Sequence, residues 1–324
     1  MDPHKVFLII NPNSGTESKE GIERMLCREL GLRGFDVTAE FTGGIGDATK
    51  MAKRAVKEGF EAVLACGGDG TVNETACAMI NTGVPMGIIP AGSGNGLARH
   101  LGFPVDPFMS LDVLAKRNIK DCDYGDVNGR PFFCTFGVGF DAAVSDRFAA
   151  CGQRGRINYV RSAVHEFISY KPHTYTIFAD DEEIDNEALL VAVCNANQYG
   201  NNAFIAPDAS IKDGLLDLVV VKSMPKLNSV WTSVEMMWGT LTKNRHVEMR
   251  KVRKVTIKCD EPGPTHLDGE SIHLDSNELN ITCHPGRLRL FTTGNKIPFK
   301  PFITPVHALI DDMTIAIKHL FSKQ

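Results

Sequence analysis

Residues 67–74 read Gly-Gly-Asp-Gly-Thr-Val-Asn-Glu and lie between an apolar run, Ala62 to Cys66, and an apolar-periodic segment, Thr71 to Ile80. A glycine-rich turn between a strand and a helix is suited to holding phosphate. Glycines let the backbone approach a ligand closely, and the first-turn N–H groups of the helix supply donors and partial positive charge. Asp69 has no apolar role in such a loop, so it reads either as a residue that positions a metal ion or as one that hydrogen-bonds a nucleotide. Three glycines around an aspartate, closed by Thr71 and Asn73, form a narrower pattern than a plain turn. No lysine follows as in a P-loop, so Mg²⁺ and backbone donors must carry more of the phosphate charge.

The elements that must hold this loop follow from the apolar pattern of the first third. Val6 to Ile10 reads as a strand, and a helix with Ile22, Met25, Leu26 and Leu30 on one face ends at Gly31. Val37, Ala39 and Phe41 alternate as a second strand. Asp47 is expected to cap a helix that runs to Glu58 and stops at Gly59, with strands at Ala62–Cys66 and Met86–Ile89 beyond it. Continuously apolar strands joined by helices describe a doubly wound α/β domain, which binds ligands beyond the carboxyl ends of its strands. Asn11–Gly15, Thr42–Gly44, the Gly67 loop and Pro90–Asn95 all fall at such ends.

After about Asp121 the texture changes to short apolar stretches separated by Asp, Asn, Gly and Pro, with strands expected at 132–136, 175–178, 189–194, 216–221, 255–258, 279–282 and 288–291. Helices are expected only at 157–169 and 227–242. This predicts an α/β nucleotide-binding domain over 1–122 followed by an antiparallel β-sandwich over 123–296, tightly packed because no Pro/Ser-rich linker separates them. The chain has 324 residues, enough for two sizeable cores. A net charge of -4 gives no basic excess with which to neutralise a nucleic-acid backbone. Nine scattered cysteines without a C-x-x-C pair read as reduced thiols of a cytoplasmic protein. The N-terminal apolar run is too short for a signal peptide, and no segment has the apolar length of a transmembrane span.

Five motifs together carry a resemblance. Asn11-Pro-Asn-Ser-Gly15, the Gly67–Glu74 run, Pro90-Ala-Gly-Ser-Gly-Asn95, Ala206-Pro-Asp-Ala with Lys212–Asp217, and Leu267-Asp-Gly-Glu270 are similar in order and spacing to the diacylglycerol kinase catalytic family, which includes soluble bacterial lipid kinases, sphingosine kinases and ceramide kinases. The Gly-Gly-Asp-Gly core alone is shared with NAD kinases and phosphofructokinases; the flanking motifs tip the choice. The resemblance implies an ATP- and Mg²⁺-dependent transfer of the γ-phosphate to a hydroxyl of a diacylglycerol-like or sphingoid lipid. NAD kinase-like action on a soluble substrate, or a catalytically silent nucleotide or lipid sensor, are the alternatives.

The same resemblance implies site roles. Asn11, Ser14, Gly15, Thr42, the stretch Gly67, Gly68, Asp69, Gly70, Thr71, Val72, Asn73, and Ser93 would line ATP, and Asp69 would help hold catalytic Mg²⁺. Glu270 would be the general base, with Asp268 beside it: in an extended segment residues i and i+2 share a face, and pairing two acids raises the pKa of one, which makes that member a better base near neutral pH. A second Mg²⁺ would take a side-chain oxygen of Asp213 and backbone carbonyls of Ser210 and Leu215; a simple β-turn at Asp213–Gly214 is the competing reading. Bacterial members usually carry an acid after the asparagine of the fourth loop, where this chain has Gly96, a feature similar to sphingosine kinases. Asp141, in a glycine-flanked turn, reads either as a head-group ligand or as a structural turn residue.

The acceptor must come from a membrane surface. Leu309, Ile310, Met313, Ile317, Leu320 and Phe321 form one face of a C-terminal helix, expected to pack back on the α/β domain within 297–324 and compatible with peripheral attachment. Arg154, Arg156 and Arg161 form a basic cluster that either meets anionic lipid or is solvated. The histidines show no zinc spacing, and a homodimer remains open.

Overall fold

The computed structural model describes residues 4–14, 21–150, 165–166, 170–180, 182–260 and 263–294. The expected C-terminal helix, the Arg154–Arg161 cluster, nearly all of the expected helix 157–169, and Gly15 lie outside the described residues.

The first part is built as the apolar runs dictate. Strands β1 (His4–Ile10), β2 (Phe35–Phe41), β3 (Ala62–Gly67) and β4 (Met86–Pro90) lie in the order β4-β3-β1-β2, all parallel. β3 and β4 are buried along their whole length, as strands covered on both faces must be. β2 is the edge strand and leaves Phe41 exposed. The chain leaves β1 toward one edge and returns past it to β3 and β4. Right-handed crossovers then place helix α1 (Ile22–Leu32) on one face and α2 (Asp47–Lys57) and α3 (Asp69–Met79) on the other. The direction of winding reverses between β1 and β3, and the crevice at such a reversal is where ligands bind.

Two local expectations are corrected. Met25 points outward, and Leu26 and Leu30 alone of its set are fully buried on α1. Asp47 does not cap α2: the N-cap is Gly46 in a left-handed conformation, and Asp47 accepts from the Gly43 N–H. The carboxylate that satisfies the helix start comes from α3, where Glu74 accepts from the N–H groups of Gly46 (2.7 Å) and Ala48 (3.2 Å).

Helices α4 (Gly96–His100) and α5 (Pro107–Ala115, capped by Asp106) lead to β5 (Ile119–Val127), the first strand of the second part. The expected strand at 132–136 is divided into β6 (Arg130–Phe132) and β7 (Thr135–Gly139), and helix α6 (Phe140–Ala150) follows, so Asp141 stands in a first helical turn rather than a loop. Strands β8 (His173–Ala179), β9 (Glu182–Cys194), β10 (Leu216–Lys222), β11 (Val247–Val252), β12 (Lys254–Cys259), β13 (Pro264–Leu267), β14 (Glu270–His273) and β15 (Glu278–Phe291) pair antiparallel, with helix α7 (Lys226–Trp238) inserted after β10. The two strands expected at 279–282 and 288–291 are one strand with a register shift between His284 and Leu288.

This is a mixed α/β sheet domain joined to a β-sandwich-like domain. The joint is itself hydrogen-bonded: β15 runs antiparallel to β5 and meets β4 in parallel at Leu290–Met86. The first apolar core takes in Tyr124, Phe133, Leu288 and Phe291 from beyond residue 122, so packing is continuous across it. The eight described cysteines are free thiols.

Candidate active site

Loops at the carboxyl ends of β1, β3 and β4 are drawn together by their own side chains. The Asn11 N–H donates to the Cys66 carbonyl (2.9 Å), and its side-chain amide donates to the Thr71 hydroxyl (2.8 Å). Only Gly68 separates β3 from α3, so Asp69 to Asn73 form the first turns of the helix. A Cβ on Gly92 would strike the Cα of Gly68, backbone against backbone. Gly92 therefore accepts no larger residue without parting the loops, whereas a Cβ on Gly68 would make a tight contact of 3.3 Å with the Gly92 Cα.

Asp69 bolts the fourth loop to the helix start. Its carboxylate accepts from the N–H groups of Asn95 (2.9 Å) and Gly96 (2.7 Å). Asn95, in the left-handed region, closes the loop on itself by accepting from the Gly92 N–H and donating to the Gly92 carbonyl. Burial raises the Asp69 pKa from the ordinary 3.8 to about 6; the two N–H donors oppose the rise, and the neighbouring charge of Asp268 adds to it.

The opposite wall is the β13–β14 hairpin. Asp268 and Gly269 both have positive φ (51° and 85°), the two-residue turn that Asp-Gly favours between paired strands. The segment is therefore not extended, and the two acids of Asp-Gly-Glu do not lie side by side. The Asp268 carboxylate turns inward and accepts from the N–H groups of Phe133 (3.0 Å), Cys134 (2.7 Å) and Thr135 (3.0 Å) and from the Asn73 amide (2.8 Å). Burial, against these four donors, leaves its pKa above the ordinary carboxylate value. Asp69 and Asp268, one from each wall, thus both have raised pKa values, chiefly because both are buried. Glu270 opens β14, is exposed, and brings Oε1 up to Gly70, where a Cβ would collide with it. Asp69, Gly70, Asn73, Asp268 and Glu270 line one cavity of about 180 Å³.

The ordered motifs, the shared cleft and the two-part fold converge with what the chain is similar to. Residues 5–127 match the diacylglycerol kinase catalytic domain, and residues 134–292 match the YegS C-terminal NAD kinase beta sandwich-like domain. A diacylglycerol kinase of Mycobacterium tuberculosis (strain ATCC 25618 / H37Rv) is 31% identical over 82% of this chain and 88% of its own length. The chain belongs to the diacylglycerol kinase family. The Bacillus subtilis diacylglycerol kinase is 27% identical over 81% of this chain and 88% of that one. The crystal structure of a diacylglycerol kinase from Bacillus anthracis superposes with a TM-score of 0.70 at 22% identity, over 89% of this chain and 97% of that one, and shares the fold.

Against the expectations drawn from this family, the sites divide. Asn11, Asp69, Thr71 and Asn73 do gather at the cleft, where their side chains also hold the loops together, and Asp69 and Asn73 line the cavity. Ser14 is buried and donates its hydroxyl to the Asn11 carbonyl. Thr42 is buried at the end of β2, and Ser93 is exposed on the fourth loop. Val72 is a core residue of α3 and offers the site only its backbone. Asp213 accepts from the Leu215 N–H and pairs with Lys251 Nζ (3.0 Å), which also pairs with Asp217 (2.8 Å). Lys251 thus already supplies a positive charge at the carboxylate expected, with the carbonyls of Ser210 and Leu215, to hold a second cation. Among the described residues no cluster of three or more His, Cys, Asp or Glu is spaced to hold a metal.

Other residues emerge only from the structure. Asp141 is buried and occupied, accepting from the Tyr199 hydroxyl (2.7 Å) and contacting His266 Nε2 (3.0 Å). His266 is on β13 of the hairpin, and the Tyr199 carbonyl would lie 3.2 Å from a Cβ on Gly96, so Asp141 ties both walls from behind. The Gly-Phe-Asp sequence marked Asp141 for attention but gave no sign of partners 58 and 125 residues away.

Proposed function

We propose that this protein is a lipid kinase that transfers the γ-phosphoryl group of ATP to a hydroxyl of a diacylglycerol-like or sphingoid lipid. The observation that carries this reading is the approach of the Glu270 carboxylate to Gly70, at the helix start where phosphate would bind. The first-turn amides of α3 and the glycine-loop backbone would hold the triphosphate, because they carry donors and a partial positive charge at fixed positions. Glu270 would accept the proton of the attacking hydroxyl as the oxygen closes on phosphorus. Asp268, saturated by amides, fixes the hairpin and thereby the carboxylate of Glu270.

The donor set suits Mg²⁺ at Asp69: each of its oxygens accepts one N–H, which leaves further acceptor capacity on a carboxylate that lines the cavity. When bound, the ion would neutralise charge on the phosphates. A cavity of about 400 Å³ opens behind the same hairpin, lined by Val138, Tyr175, Pro264, Thr265 and Leu279 among others. Its wall is mixed, with His173, Thr174, Asp260 and Ser276 beside the apolar residues, which suits an acceptor that carries both a polar head and apolar chains.

The test is incubation of the protein with γ-labelled ATP, Mg²⁺ and mixed micelles carrying diacylglycerol, sphinganine and ceramide, beside NAD in solution. Label in an organic-extractable product is expected and names the acceptor. Label only in NAD selects the soluble-substrate reading, and nucleotide binding without any transfer selects a sensor.

A further inference from the structure

The only two tryptophans of the chain, Trp231 and Trp238, stand on one face of α7, at 56% and 45% exposure. Their rings meet edge to face with centroids 6.1 Å apart. Leu227 (81% exposed), Val230 and Met237 continue that face at helical spacing. The other side of the helix is already used: Ser229 and Thr232 are buried, and Met236 packs on the core of β9 and β10. The outer stripe is therefore an added apolar surface of contiguous large side chains, beyond the scattered exposure normal for a soluble face.

Its surroundings are basic. Residues 222–246 hold Lys226, Lys243 and Arg245 besides Lys222, which is paired with Glu248 (3.1 Å), and Glu235 is the one acid of that stretch, in a chain whose net charge is -4. The Glu235 carboxylate is occupied by the Trp231 indole N–H (2.9 Å) and the Asn244 amide. Lys226, Lys243 and Arg245 are exposed at the two ends of the helix.

We infer that this face of α7 is the surface by which the protein lies on an anionic lipid bilayer. Trp231, Trp238, Leu227 and Val230 enter the boundary between headgroups and acyl chains, where an indole's apolar ring and polar N–H are both satisfied. The flanking cations sit on lipid phosphates. A second copy is the poorer occupant: pairing the same face about a twofold axis sets these cations against themselves, whereas an anionic surface neutralises them. The helix is also one loop from the site. The Phe204 N–H donates to the Met236 carbonyl (3.0 Å), and in the same loop the Asn201 N–H donates to the Gly94 carbonyl (3.3 Å) of the fourth glycine loop.

The inference rests on the lipid-acceptor reading for its purpose, and its test does not require turnover. The full chain is mixed with sucrose-loaded vesicles of phosphatidylcholine alone or with phosphatidylglycerol, and pelleting and tryptophan emission are read. Since both tryptophans lie on this face, emission reports on it alone. Phosphatidylglycerol vesicles are expected to pellet the protein and shift its emission to the blue, less so at high salt. The variant carrying Leu227→Glu and Trp231→Ser should bind them about tenfold or more weakly, given the apolar area removed. It should keep wild-type turnover on a water-soluble short-chain diacylglycerol and lose turnover on the vesicle-borne lipid. Wild type that stays in the supernatant, or a variant that binds equally, overturns the inference even if the short-chain lipid is phosphorylated. So does a blue-shifted, dimeric wild type without vesicles, which assigns the face to a second copy. Vesicle binding with no lipid phosphorylated overturns the kinase reading and leaves this one standing.

Discussion

The two walls of the cleft are stiffened by opposite means. On the α3 side, glycine backbones press on one another at Gly68 and Gly92, and Asn11, Asp69 and Asn95 spend their side chains holding that contact. On the hairpin side, one acid is saturated by four donors and the next but one is left exposed. On the proposed reading, a wall that holds phosphate would gain from amides that cannot move, and a wall that accepts a proton would gain from a base whose backbone is fixed, as the anchored Asp268 fixes the turn that carries the exposed Glu270.

The largest effect that separates the two acids of the hairpin is on turnover. Glu270→Gln should lower kcat by about 10²–10⁴-fold, the usual worth of a general base, while ATP binding is kept and stability changes by about 0.5 kcal/mol or less, since the side chain is exposed. Normal turnover in this variant removes Glu270 from the role. Asp268→Ala should do the reverse, costing about 3 kcal/mol or more in urea unfolding because it strands the amides of residues 133–135 and the Asn73 side chain. An alanine variant as stable as wild type would make the two acids equivalent and dissolve the contrast.

The glycines sharpen the same comparison. Gly92→Ala meets the Gly68 backbone and should destabilise by about 1–3 kcal/mol, as overpacking does. Gly70→Ala meets only the movable end of Glu270, and alanine favours the helix by about 1 kcal/mol over glycine. Its thermal midpoint should hold or rise while kcat falls about tenfold or more through displacement of the carboxylate. Equal losses of stability at both positions would contradict the division between a rigid and a presented wall.

The smallest effect lies at the joint between the parts. His100 on α4 accepts from the Asn197 N–H (3.1 Å), and burial lowers its pKa from 6.5 to about 4. The folded state thus favours neutral imidazole, so its stabilisation is complete above about pH 6.5 and is lost as pH falls through 4. His100→Gln should flatten the unfolding free energy between those limits relative to wild type. An unchanged pH profile would mean that the joint does not carry this histidine neutral.

Much of this architecture is legible in the residues themselves. The four loop motifs fall at strand ends because the parallel strands are buried on both faces and read as unbroken apolar runs, as at Ala62–Cys66. Val37, Ala39 and Phe41 do mark a strand, whereas Met25 misled because an outer helix face can carry an apolar residue at the same periodicity as the buried one. The Asp-Gly turn was legible as a turn, yet the inward rotation of Asp268 was not, since its donors are amides some 135 residues earlier. Asp141, Tyr199 and His266 are likewise joined by topology alone, and Glu74 caps a helix that precedes it in the chain by a full strand. Side chains that hold backbone in place leave no spacing pattern, which is why the bonds by which Asn11, Asp69 and Asn73 hold the glycine loops and the hairpin could not be read from the residues.

A crystal structure with a non-hydrolysable ATP analogue, Mg²⁺ and a short-chain diacylglycerol tests the convergence of the two walls most directly. The account predicts the γ-phosphate at the α3 start beside Gly70, with the acceptor oxygen about 3–3.5 Å from phosphorus and within hydrogen-bond reach of Glu270. A triphosphate seated away from the Gly67–Gly70 turn, or a Glu270 carboxylate facing away from the acceptor, would contradict it.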